Sequence, residues 1–179
     1  MSDEKRKSVL REHLFADPNA SVFALLDGAS VAGLVQKLWE TKPEHYCLFP
    51  GELEPDMAEV APYVVKLDPD APFTQWVMDG AWGNHWGVFA VAPATGRQMR
   101  GHCRSLVEVF GPDGDPMIFR YYDPRVLRTF LPTCQAQELN EMFGPTLTYW
   151  AEAEDPDVLL CFRNEQGTLG KQEIRLPGN

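Results

Sequence analysis

The sequence predicts an α/β fold: a mixed, mainly parallel central sheet flanked by helices, with an antiparallel edge pair and a small α+β C-terminal lobe. Three observations carry this prediction. Apolar runs such as Val22-Phe23-Ala24-Leu25-Leu26 and Val88-Phe89-Ala90-Val91-Ala92 show no alternation. That is the pattern of a strand covered on both faces, as in a parallel sheet. Segments of helical spacing separate the runs; in 31–39, for example, Val31, Leu34, Val35 and Leu38 are the apolar positions. Finally, Gly111-Pro112-Asp113-Gly114-Asp115 lies between two short apolar runs, 107–110 and 117–121. Pro, Asp and Gly there suit a hairpin loop, which gives the antiparallel pair.

Taken in order, residues 5–15 form a short helix with Val9, Leu10, Leu14 and Phe15 on one side, ended by Asp17-Pro18-Asn19. The strand 22–26 closes at Asp27-Gly28, and the helix 31–39 follows. Tyr46-Cys47-Leu48-Phe49 is a second strand, stopped by Pro50-Gly51. A short helix over 56–61 precedes the strand Tyr63-Val64-Val65-Lys66-Leu67. Residues 72–80 form a helix, followed by the aromatic loop Trp82-Gly83-Asn84-His85-Trp86-Gly87, the strand 88–92 and a helix over 95–106. After the hairpin, Asp123-Pro124 starts a helix that Pro132 stops. Asp accepts bonds from the first free helical N–H groups, and Pro at the first helical position gives up only an N–H that had no partner. A helix over 135–143 ends at Gly144-Pro145, and strands follow at 146–150, 158–162 and 168–176. The change of character after Leu131 divides the chain into a main lobe, 1–131, with its N-terminal helix in 1–17, and a smaller lobe or tail, 132–179.

Composition narrows the function. The 179 residues are 44% hydrophobic and 11% aromatic, ordinary for a globular chain with a sizeable core. A net charge of −10 argues against nucleic acid and anionic membranes as partners, since both would be repelled. The acidity serves solubility or a basic protein partner. The start, Met1-Ser2-Asp3-Glu4-Lys5-Arg6-Lys7, leads into an amphipathic segment and not the apolar core of a signal peptide. No apolar run approaches the roughly 20 residues of a membrane span. Cys47, Cys103, Cys134 and Cys161 are few and scattered, so free thiols in a cytoplasmic protein are expected.

No candidate chemistry assembles completely. No phosphate-binding glycine pattern follows the first strand; Asp27-Gly28-Ala29-Ser30 holds one Gly. His45/Cys47 and His102/Cys103 lack zinc-ligand spacing. Cys103 with His85 or His102 is the one plausible thiol pair, set against the tendency of free Cys to be core. The carboxylate clusters Glu52, Glu54, Asp56, Glu59 and Glu152, Glu154, Asp155, Asp157 read as solvated surface or as an acidic docking patch. Trp82 and Trp86, near Trp76 and His85, either line an aromatic groove or fill the core at a sheet edge. No catalytic residue, metal ligand or cofactor site is therefore assigned. The alternative is a small α/β hydrolase or transferase using the carboxyl edge of the sheet, an analogy from fold alone.

The richest segment is Phe119-Arg120-Tyr121-Tyr122-Asp123-Pro124-Arg125-Val126-Leu127. As a strand it sets Ile118, Arg120 and Tyr122 on one face and Met117, Phe119 and Tyr121 on the other. Two readings stand: a charge-assisted network fixing the corner, or a binding surface at a strand's carboxyl end.

This stretch, strand then Asp-Pro helix, resembles the hallmark of the type VI secretion effector-chaperone family. Supporting matches are Ala24-Leu25-Leu26-Asp27-Gly28-Ala29, Leu48-Phe49-Pro50-Gly51-Glu52 and Ala61-Pro62-Tyr63-Val64-Val65-Lys66-Leu67. Arg104-Ser105-Leu106-Val107-Glu108-Val109 before Pro112-Asp113-Gly114, then residues 138–145 and Trp150, complete the order. The resemblance spans roughly 20–155. It implies a non-enzymatic cytoplasmic adaptor that binds a cognate toxic effector and helps load it onto the valine-glycine-repeat spike. It carries over Asp27, Phe119, Arg120, Tyr122, Asp123, Pro124 and Arg125 as a family signature and candidate partner surface, and no catalytic residues.

Overall fold

A computed structural model describes residues 2–177. The elements are α1 Ser2–Leu14, β1 Ser21–Asp27, α2 Leu34–Thr41, β2 His45–Cys47, α3 Pro55–Val60, β3 Pro62–Leu67, α4 Pro72–Gly80 and β4 Gly87–Ala92. They continue with α5 Gly96–Val107, β5 Glu108–Phe110, β6 Pro116–Ile118, α6 Pro124–Phe130, a 3-10 turn Leu131–Thr133, α7 Ala136–Phe143, β7 Thr148–Glu152, β8 Val158–Glu165 and β9 Thr168–Arg175.

Seven strands form one sheet in the order β2-β3-β1-β4-β7-β8-β9. Each neighbouring pair is antiparallel. The mainly parallel sheet expected from the sequence is thus corrected to an antiparallel one. The physical reason lies in what the apolar runs report. Phe23, Ala24, Leu25 and Leu26 are all buried because helices cover both faces of the sheet, and two-sided coverage says nothing about strand direction. A further correction concerns the hairpin. The β5–β6 pair is antiparallel, but it forms a separate two-stranded ribbon and not an edge of the main sheet. The strands β7, β8 and β9 continue the main sheet from β4 onward.

Alternation along each strand sorts the core into two layers. On one face Val22, Ala24, Leu26, Phe89 and Trp150 pack with Leu10 and Leu14 of α1, Leu34 and Leu38 of α2, and Phe73 and Val77 of α4. On the other face Phe23, Leu25, Ala90 and Tyr149 pack with Met99 and Cys103 of α5, Leu127 of α6, and Leu139 and Met142 of α7. Helix starts are set locally. Thr95 and Gln98 make a reciprocal capping box at α5, and Gln135 and Glu138 make one at α7. No helix among the described residues is long and apolar enough to cross a membrane.

Candidate functional site

Asp27 is the last residue of β1 and is 1% exposed. Its backbone N–H donates to Trp86 O at 2.9 Å. Its side chain accepts from Ala29 N at 3.1 Å and from the Ser30 hydroxyl at 2.9 Å, an Asx turn that fixes the carboxylate. The Arg120 guanidinium donates to the same carboxylate. Gly28 lets β1 leave the sheet closely, since a Cβ there would sit 2.4 Å from Ala61 O and 2.6 Å from Glu59 O.

Asp123 is the N-cap of α6 and is 4% exposed. It accepts from Arg125 N at 2.9 Å, from Arg125 Nε at 3.0 Å and, on its other oxygen, from Arg125 Nη2 at 2.8 Å. Arg120 Nη2 lies 3.9 Å from Asp123 Oδ2, so its guanidinium bridges two buried carboxylates. Burial pushes the Asp123 carboxyl up, but the Arg125 hydrogen bonds and charge, with the Arg120 charge, hold it below the usual carboxylate range. The hydrogen bond to Asp27, above all, raises Arg120. Both acids are inside, while the Arg120 and Arg125 side chains are 45% and 52% exposed. The cluster is a strut from the end of β1 to the start of α6, with two guanidinium groups on its outer side.

The strand expected through residues 119–121 ends at Ile118. Phe119 N donates to Val107 O at 2.7 Å, and a turn then closes from Asp123 N to Arg120 O at 3.0 Å. The alternating faces are consequently lost. Tyr121 and Tyr122 are both buried, with ring centroids 5.9 Å apart. Burial pushes the Tyr122 hydroxyl up to about 12. Phe119 turns away to meet Phe130 edge-on at 4.7 Å. Pro124 is buried at the first turn of α6.

The sequence reading placed Glu152 on a solvated surface; it is 4% exposed. Its carboxylate accepts from Gly83 N at 2.6 Å and His85 N at 3.1 Å, and it pairs with the His85 ring. Its position at the end of the apolar run Tyr149-Trp150-Ala151 was the available signal. By strand alternation Glu152 shares the Trp150 face and Asp27 shares the Leu25 face. One acid therefore pins the aromatic loop on one side of the sheet, and the other pins the Arg120 turn on the opposite side. Trp86 packs on Trp76 with ring centroids 4.7 Å apart, and Trp82 Nε1 donates to Pro156 O at 2.7 Å. Both are partly buried against the α1–α2–α4 core.

Cys103 is fully buried in the opposite layer from the His85–Glu152 pair, and burial pushes its thiol up to about 12. The His102 ring is hydrogen-bonded to Met142 O at 3.1 Å. The Cys103/His85 pairing considered from sequence is not assembled.

The β5–β6 ribbon gathers several exposed large apolar side chains. Phe110 is 68% exposed, Met117 54% and Ile118 51%. Cross-strand partners share a face, so Val109 and Met117 lie on one side, Glu108 and Ile118 on the other.

An antiparallel sheet held between two helical layers, with an acid–arginine strut at one corner, defines an α/β sandwich. The profile of a family described as a domain of unknown function, DUF4123, matches residues 22–141, more than half of the chain, and the protein belongs to that family. The family is associated with type VI secretion. No curated protein and no solved structure matches the chain. The matched span includes Asp27, the ribbon and the strut, and stops before β7.

Proposed function

We propose that the protein is a non-enzymatic cytoplasmic adaptor that binds a cognate toxic effector and promotes its loading onto the valine-glycine-repeat spike of a type VI secretion system. The observation that carries this reading is the ribbon. Exposed large apolar side chains on both faces of a small hairpin are a surface a partner would cover. A two-stranded ribbon outside the main sheet is also marginal by itself, and a partner would stabilise it. The ribbon lies within the residues matched by a family associated with type VI secretion. The outer faces of Arg120 and Arg125 supply a second contact zone.

Co-expression with the effector and spike encoded beside it tests the reading. A complex of the three should elute together in size exclusion. Phe110→Ser with Ile118→Ser should cut recovery of the effector about tenfold, as expected for loss of interface anchors, with unchanged melting. Elution of the wild-type protein alone from cells making both partners overturns the adaptor.

A further inference from the structure

Resting on the adaptor reading, we propose that a groove at the base of the ribbon takes an amphipathic helix of the effector with Lys or Arg along one flank. The groove encloses about 390 Å³ between α5 and α7. Its apolar floor is Leu106, Val109, Phe119, Phe130 and Met142. The edge-on Phe119–Phe130 pair forms its centre, and the strut fixes the start of the helix that carries Phe130.

Two features choose the occupant. The first is shape. Ser105 and Leu106 come from α5, Glu138, Glu141 and Met142 from α7, so the walls are two helices. A third helix packs into such a trough with apolar residues at i, i+3 or i+4, and i+7. The second is charge. Among the described residues the polar lining is Ser105, Glu138 and Glu141, with no cation. Both carboxylates stand on the α7 bank, one helical turn apart, in a chain of net charge −10. Glu138 caps its own helix through Gln135 N at 2.7 Å, whereas Glu141 holds only the Gln137 side chain at 3.1 Å among the contacts described. Glu141 is therefore the residue available to a cation on the partner.

The test uses the full chain and a fluorescein-labelled designed peptide of about 18 residues, roughly five turns. It carries Leu at i, i+3, i+4 and i+7 spacing and Lys along one flank; a control has the same residues scrambled. By fluorescence anisotropy the ordered peptide should bind about tenfold more tightly than the scrambled one. Val109→Asp and Glu141→Lys should each weaken it about tenfold without lowering the melting temperature, and Glu141→Lys should prefer a peptide with Glu in place of Lys. Equal binding of ordered and scrambled peptides, or absence of the charge-swap preference, overturns the groove. Co-purification of effector at wild-type level by both variants also overturns it and leaves the adaptor standing. Failure of the wild-type protein to hold any neighbouring effector overturns the adaptor, and the peptide titration still decides the groove.

Discussion

The Arg120 guanidinium donates to the Asp27 carboxylate across 93 positions of the chain. One partner ends the central strand β1, and the other lies in the turn before α6. The bond therefore reports the closure of the sheet against its second helical layer. Asp27 is held by its own Asx turn independently of Arg120, so little side-chain entropy opposes the pairing from the acid's side.

Asp27→Ala removes the acceptor of Ala29 N, Ser30 Oγ and Arg120 at once. A loss of about 2–3 kcal/mol is expected, typical of hydrogen bonds to charged groups. Loss of a fully buried pair would cost more, but the half-exposed Arg120 can return to water. Urea denaturation measures it; a change under about 0.5 kcal/mol would mean the strut carries no stability.

Asp123 gives a pH signature. Its carboxyl is held below its usual value in the folded protein, so its contribution is present above the unfolded value, near pH 4, and is lost as pH falls through the lowered folded value. Asp123→Asn keeps a capping side chain without the titration. The wild-type stability curve should fall more steeply than that of Asp123→Asn below about pH 4. Parallel curves in acid urea titrations would remove Asp123 as the source.

Arg125→Glu puts a carboxylate where Arg125 now holds both Asp123 oxygens. The structure predicts a loss of about 1 kcal/mol beyond Arg125→Ala, limited by the exposure of the site. Equal midpoints for the two variants in urea would contradict it.

Gly28→Ala brings a Cβ within 2.4 Å of one backbone carbonyl oxygen and 2.6 Å of another. Neither oxygen can yield as a flexible side chain would. About 2–3 kcal/mol is expected from forced backbone shifts, or a melting temperature lower by about 5–10 °C. An unchanged melting curve would show that the end of α3 at 59–61 yields freely.

Cys103 should be inert. It is fully buried, and its thiol is pushed up to about 12, so thiolate is scarce at neutral pH. A disulfide reagent should modify it only after denaturant is added, whereas Cys47 and Cys134, partly exposed, react earlier. Rapid labelling of Cys103 in the folded protein would mean local opening of α5.

Much of the local structure could be read from the chain. The Asp123-Pro124 start of α6 and the 72–80 bounds of α4 fall where the sequence put them, because caps, prolines and helical spacing act over a few residues. The candidate site was legible as a group of residues and not as a geometry. Asp27 and Arg120 were both singled out, yet nothing local pairs residues so far apart. Glu152 was misread as surface because its partners, the Gly83 and His85 amides and the His85 ring, lie 67 or more positions away, beyond any local pattern. Phe119 and Tyr121 were placed on one strand face, whereas a turn at Arg120 sends Phe119 to the groove and Tyr121 to the core.

By itself, the sequence determined the order of most helices and strands and their approximate places, which runs are covered on both sides, and that a hairpin follows α5. Each is a consequence of short-range patterning and backbone restriction. The tertiary structure alone decided strand direction and order. It set β1 between β3 and β4, both antiparallel to it, detached the β5–β6 ribbon from the sheet, and joined Asp27 to Arg120. Those outcomes depend on how the two helical layers close over the sheet. A buried run of Val, Leu and Phe satisfies that closure equally well in either direction.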